Sequence, residues 1–127
     1  MQQEVLVVDD DLKDSTRPTA TRNAGSESIR VGDIELDPER RTVKKSGQLV
    51  HLTPTEFELT QYLMSNAGRP IGHTRLLNAV WGIKYGLKPE YLRTFVRQLR
   101  IKLEDDPAKP KYLLTDAWFG YRFAEDL

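Results

Sequence analysis

Three arginines, Arg93, Arg97 and Arg100, are spaced i, i+4 and i+7 in a stretch that opens at Pro89 and stops before Asp105-Asp106-Pro107. At about 100° per residue they share one flank of a helix. Leu92, Val96, Leu99 and Leu103 fall in a narrow arc that must face a core, with Phe95 at its edge. Thr94, Gln98 and Ile101 take the outward face. Guanidinium groups in such a row can pair bidentately with guanine O6 and N7, or hold phosphate oxygens as charge-assisted donors. Gln98 can read adenine, and each good base-reading pair contributes on the order of 1–3 kcal/mol of discrimination. The plainer alternative is a solvated face whose arginines pair with Glu90 or Glu104. Spacing by itself gives the two readings even standing.

Other chemistry has weaker support. The two histidines, His51 and His73, lie in unrelated segments, and His51 falls on an expected strand. No nucleophile motif, phosphate-binding loop or metal-ligand spacing is present, so neither an enzyme nor a cofactor or metal site is expected. Asp9-Asp10-Asp11 has the charge for a divalent cation. It sits in a polar tail that cannot hold ligand geometry. The absence of cysteine excludes disulfides and thiolate metal sites and fits a reducing compartment. The early apolar run Val5–Val8 is too short for a signal peptide or a membrane span. A cytoplasmic protein with no membrane partner is the expectation.

The elements that would position the arginine row can be read around it. The chain has 127 residues and no net charge, but the charge is unevenly spread. Residues 1–28 carry three basic and six acidic side chains, net −3, and the remaining 99 carry sixteen and thirteen, net +3. A mild positive balance permits phosphate binding without demanding it. Residues 9–28 are polar and read as a linker that cannot bury enough surface to order itself. From Ile29 the pattern changes. Ile29/Val31, Ile34/Leu36, Val43 and Val50/Leu52 alternate with polar residues, and Ser46-Gly47 marks a turn. This predicts about four antiparallel strands.

Thr53-Pro54-Thr55-Glu56 announces a helix with a capping box, and Leu59, Leu63 and Ala67 form its stripe. Gly68 is expected at its C′ position. A second helix is expected from His73 to Trp81, with Gly72 as a second-rate N-cap and Gly82 as its stop. The third runs from Pro89 to about Glu104. Tyr112–Thr115 and Gly120–Phe123 then predict a hairpin with Asp116–Phe119 as its tip. The order is sheet, three helices, hairpin: an α+β winged helix-turn-helix. Tyr121 and Phe123 should pack, leaving Arg122 and the tip free to touch a backbone or minor groove.

These residues resemble the OmpR/PhoB-type effector domain of response regulators. The resemblance runs from about residue 29 to 124. It rests on Leu52-Thr53-Pro54-Thr55-Glu56-Phe57, Leu76-Leu77, Val80-Trp81-Gly82, Leu99-Arg100-Ile101-Lys102-Leu103, Asp106-Pro107, Thr115 and Gly120-Tyr121-Arg122-Phe123 in that order. Asn66-Ala67-Gly68, Leu77-Asn78, Tyr91-Leu92-Arg93 and Leu103–Ala108 look most like regulators of the Kdp high-affinity potassium-transport operon. The resemblance implies a third helix that reads the major groove through Arg93, Thr94, Arg97, Gln98, Arg100 and Ile101. It implies a wing, here Thr115, Ala117, Trp118 and Arg122, that reaches the backbone or the adjacent minor groove. It further implies head-to-tail pairs on promoter direct repeats, and RNA polymerase contact by Ile83, Lys84, Tyr85 and Lys88.

Val5–Asp11 resembles the first strand and acidic pair of a receiver domain. No later strand with an acceptor aspartate follows, so residues 1–28 are expected to be a receiver remnant and linker, without phosphorylation or Mg²⁺ binding. Residues 29–127 are the expected effector domain. Without a receiver the chain is expected to be a monomer in solution. Trp118 stands where the family usually has glycine, Ala117 lies near a frequent arginine, and Thr60 replaces a common core leucine. These departures leave two functions open. One is a sequence-specific transcriptional regulator of two-component type, with potassium-transport control as its narrower form. The other is a protein-interaction winged helix that modulates another regulator or RNA polymerase without reading DNA.

Overall fold

The computed structural model describes residues 27–82 and 89–125. Residues 1–26, which hold Asp9–Asp11 and most of the expected linker, and the expected polymerase loop Ile83–Lys88 lie outside them.

The alternating residues at the start form a four-stranded antiparallel sheet in sequence order: β1 (Ile29–Val31), β2 (Ile34–Asp37), β3 (Thr42–Lys45) and β4 (Gln48–Val50). Leu36 pairs with Ile29 on one side and Val43 on the other, so the apolar residues line one face. Val31, Ile34, Leu36 and Val43 are all buried there. Ser46 and Gly47 both take positive φ (52° and 81°), as the tight turn between β3 and β4 requires.

Helix α1 (Pro54–Ser65) starts as its sequence predicts. The Glu56 N–H donates to Thr53 Oγ1 at 3.2 Å, and the Thr53 N–H donates to Glu56 Oε1 at 2.9 Å. Such a box stabilises a helix start by about 1 kcal/mol. The far end differs from expectation. The cap is Asn66, and Gly68 lies beyond the C′ position. Its φ of +87° instead lets its N–H donate to the Phe123 carbonyl at 2.8 Å, tying the exit of α1 to the last strand. Thr60 is buried, and its hydroxyl donates to the Glu56 carbonyl at 2.8 Å. The polar atom that replaces leucine is therefore satisfied within its own helix.

Helix α2 (His73–Val80) begins at Gly72 without a side-chain cap. Gly82 at φ +96° donates to the Leu77 and Asn78 carbonyls and ends it. Trp81 packs edge-on against Tyr91 and Phe95, with ring centroids 5.3 and 5.0 Å away. Helix α3 (Pro89–Leu103) is joined to α2 by this aromatic cluster. Leu92, Val96, Leu99 and Leu103 are each at most 1% exposed, as the stripe predicts. Truncating any of them to alanine would cost about 2–5 kcal/mol.

The C-terminal hairpin is β6 (Leu113–Asp116) and β7 (Gly120–Phe123), so Asp116 belongs to a strand and the tip is residues 117–119. It is also not a free hairpin. A two-residue strand, β5 (Ile71–Gly72), pairs with β7 and makes a three-stranded sheet of order β5-β7-β6. Gly120 permits this approach, because a β-carbon there would lie 1.9 Å from the Ile71 carbonyl oxygen. The buried residues of both sheets and all three helices form one core.

Candidate nucleic-acid interface

The buried stripe of α3 fixes which way the rest of that helix points. With Leu92, Val96 and Leu99 anchored, Arg93, Thr94, Arg97, Gln98 and Ile101 are all exposed on the opposite side. Neither Arg93 nor Arg97 forms an ion pair or hydrogen bond with any described residue. Two guanidinium groups one turn apart, with no partner among the described residues, thus face solvent. Thr94 donates its hydroxyl to the Glu90 carbonyl at 3.3 Å.

Glu104, one of the two pairing partners that a merely solvated face would use, turns the other way, and the other, Glu90, forms no ion pair with an α3 arginine among the described residues. The Glu104 carboxylate is buried and accepts the N–H groups of Lys111, Tyr112 and Leu113 at 2.7–3.2 Å. It thereby fixes the chain where it passes from α3 into β6. Nothing in the residue types or spacing signals this role; an acidic residue at a helix C-terminus is ordinarily unfavourable.

Arg100 behaves differently from the other two arginines. Its Nε and Nη2 donate to the Leu113 carbonyl at 3.0 and 2.8 Å, and Nη2 also donates to Thr115 Oγ1 at 2.8 Å. It braces the wing against α3, and its guanidinium lies 6.0 Å from the Tyr121 ring centroid. The row of three equivalent arginines expected from spacing is therefore two outward groups and one brace. Thr115 is engaged by that brace. Arg122 is half-buried and lies 3.4 Å from the Asp116 carboxylate, so it is not the free side chain expected of the wing.

Between α3, the wing and the start of α2 lies an open cleft lined by His73, Arg93, Arg100, Thr115, Trp118 and Tyr121, among others. His73 meets Tyr121 edge-on at 5.6 Å, which makes it a packing residue of the cleft wall. Its N–H donates to the Phe119 carbonyl at 3.3 Å. Ala117 and Trp118 are exposed at the tip, and Trp118 takes φ +70°. Among the described residues no cluster of three side chains could hold a metal ion, and no helix is long and apolar enough to cross a membrane.

Known proteins share this fold and much of this sequence. The family described as "Transcriptional regulatory protein, C terminal" matches residues 47–123. The transcriptional regulatory protein KdpE of Mycobacterium tuberculosis is 43% identical over 107 residues, covering 84% of this chain and 47% of the relative. The KDP operon transcriptional regulatory protein KdpE of Escherichia coli K12 is 37% identical over 112 residues, covering 88% and 50%. The chain spans about half the length of these curated relatives. Among solved structures, the response regulator DrrB of Thermotoga maritima, an OmpR/PhoB homologue, superposes with a TM-score of 0.74 at 30% identity, covering 84% of this chain and 49% of that one. The DNA-binding domain of RstA from Klebsiella pneumoniae, in complex with the RstA box, gives 0.71 at 29% identity, covering 77% and 97%. Fold, sequence and exposed helix agree: the chain belongs to the transcriptional-regulator C-terminal family, the winged-helix effector domain of OmpR/PhoB-type response regulators, and not to an enzyme family.

Proposed function

We propose that this chain binds double-stranded DNA in a sequence-specific way and acts as a transcriptional regulator of two-component type. One observation carries the reading. Arg93 and Arg97 stand exposed and without partners among the described residues on α3, while the opposite stripe of that helix is sealed in the core. Such a helix can enter the major groove without losing its anchorage. Thr94, Gln98 and Ile101 lie beside the arginines as base-reading groups, Ile101 toward a thymine methyl. Arg100, Thr115 and Arg122 set the wing, and through it the angle at which α3 meets the duplex.

Several finer elements belong to the same proposal. The DNA-binding unit is residues 29–127, and the sequence between Asp11 and Ile29 is far too short to supply the rest of a phospho-receiver. The chain is a monomer that pairs head-to-tail on direct repeats. The segment Ile83–Lys88 meets RNA polymerase, and the KdpE relatives favour potassium-transport genes as targets.

Fluorescence anisotropy with promoter fragments, and with duplexes recovered from a randomised pool, tests the central claim. Binding should weaken steeply with salt. Arg97→Ala should lower affinity by about tenfold and reduce the salt slope by about 1. No salt-dependent binding to any fragment would remove the reading. The full exposure of Trp118 favours a second reading, a wing that docks on another protein. Under that reading Trp118→Ala abolishes self-association or capture of polymerase, and duplex binding never develops.

A further inference from the structure

Trp118 is 100% exposed, and its backbone is left-handed. Both features disfavour tryptophan at this position. The tip of a three-residue hairpin loop calls for glycine where φ is positive, and an indole in water gains nothing from burial. The loop is nevertheless held in place. The Phe119 N–H donates to the Asp116 carbonyl at 3.0 Å, and β7 is paired on both edges. A rigid mount thus presents a large aromatic plane to solvent.

The surroundings of the indole indicate its partner. Trp118 lines the same cleft as Arg93, Arg100 and His73, and as Asp116, whose carboxylate is paired with Arg122, so the aromatic group stands at the rim of a groove with a positive balance. The apolar surface around it is small: Ala117 and the half-exposed Phe119 are its chain neighbours, followed by the Asp116–Arg122 pair. That is too little for a stable protein interface. A nucleic acid offers both an anionic backbone for the groove and flat bases for the indole.

We propose that Trp118 is a stacking wedge, which lodges against a base step in the minor groove beside the segment read by α3 and bends the duplex there. The proposal rests on the DNA-binding reading above. Bases of any sequence stack on an aromatic face. Apolar wedges partly unstack a step and kink the duplex toward the major groove. Pyrimidine–purine steps yield most readily, so Trp118 gives the chain a sequence preference at a step that no α3 side chain touches. Because the indole neutralises no phosphate, its contribution is insensitive to salt, unlike that of Arg97.

The test uses the full chain and a duplex that the wild type recovers from a randomised pool, with end labels for energy transfer and 2-aminopurine in the flanking step. Wild type should shorten the end-to-end distance and brighten 2-aminopurine. Trp118→Ala should bind about tenfold more weakly, with a straighter duplex and an unchanged salt slope, and Trp118→Phe should retain most of the bend. Trp118→Gly suits the local φ and so controls for folding: it should melt no lower than wild type yet bind as poorly as Trp118→Ala. Wild-type affinity and bend in the alanine and glycine variants would overturn the wedge while leaving DNA binding intact. The same holds if those variants lose only self-association. A wild-type chain that recovers no duplex would overturn both proposals.

Discussion

Glu104→Ala should destabilise the domain far more than an ordinary surface substitution, because it strips the acceptor from three backbone N–H groups at once. The Glu104 residue is 6% exposed and accepts three backbone N–H groups. Lys111 is exposed, so its N–H can turn to water when the carboxylate is removed. Tyr112 and Leu113 are buried, so theirs cannot. Two orphaned buried donors at about 1–3 kcal/mol each give a loss of roughly 4 kcal/mol. For a domain of this size that lowers the melting temperature by on the order of 15–30 °C. Urea unfolding followed by circular dichroism measures the free energy directly. Glu104→Gln keeps one acceptor oxygen and should fall between wild type and alanine. The donors lie between α3 and β6, so amide exchange should quicken at residues 111–113 before it quickens in α1. A loss under about 1 kcal/mol, or equal losses for glutamine and alanine, would refute the claim that this carboxylate acts through its three amides.

Two further outcomes follow from single contacts. Gly120→Ala places a β-carbon where the Ile71 carbonyl oxygen stands, so β5 must separate from β7; backbone amide shifts should move at Ile71 and Gly72, and DNA affinity should fall as the wing loses its anchor. The hydrogen bond and charge of Lys45 hold the exposed Asp105 carboxyl below its ordinary value of 3.8. A depressed folded value contributes stability above the unfolded value and loses it as pH falls through the folded one. Asp105→Asn should therefore cost a little stability at neutral pH; the difference from wild type should begin to shrink as pH falls below about 3.8, vanish only below the depressed folded value, and shrink in high salt.

Much of the architecture follows from local rules that the chain states in order. Period-2 alternation from Ile29 gives the first sheet, Thr53-Pro54-Thr55-Glu56 gives the start of α1, and the leucine stripe of α3 gives its buried side. Each is an interaction between near neighbours, so its signal survives in one dimension. The same rules misjudged several residues. Gly68 carries a helix-stop signal, yet its N–H serves a strand far along the chain. Ile71-Gly72 is too short to display any alternation, and only pairing with β7 makes it a strand. Arg93, Arg97 and Arg100 are alike in type and spacing.

Their division into two outward groups and one brace was decided elsewhere. The Leu113 carbonyl that claims Arg100 arrives from a different element, held there by Glu104 and by the close approach that Gly120 allows. Which helix carries the arginines, and which of its faces is hidden, is written in residue order alone, because helical periodicity is a local property. Tertiary structure alone decided which arginines remain free, because a side chain's hydrogen-bonding partner depends on which distant backbone groups folding brings within about 3 Å of it.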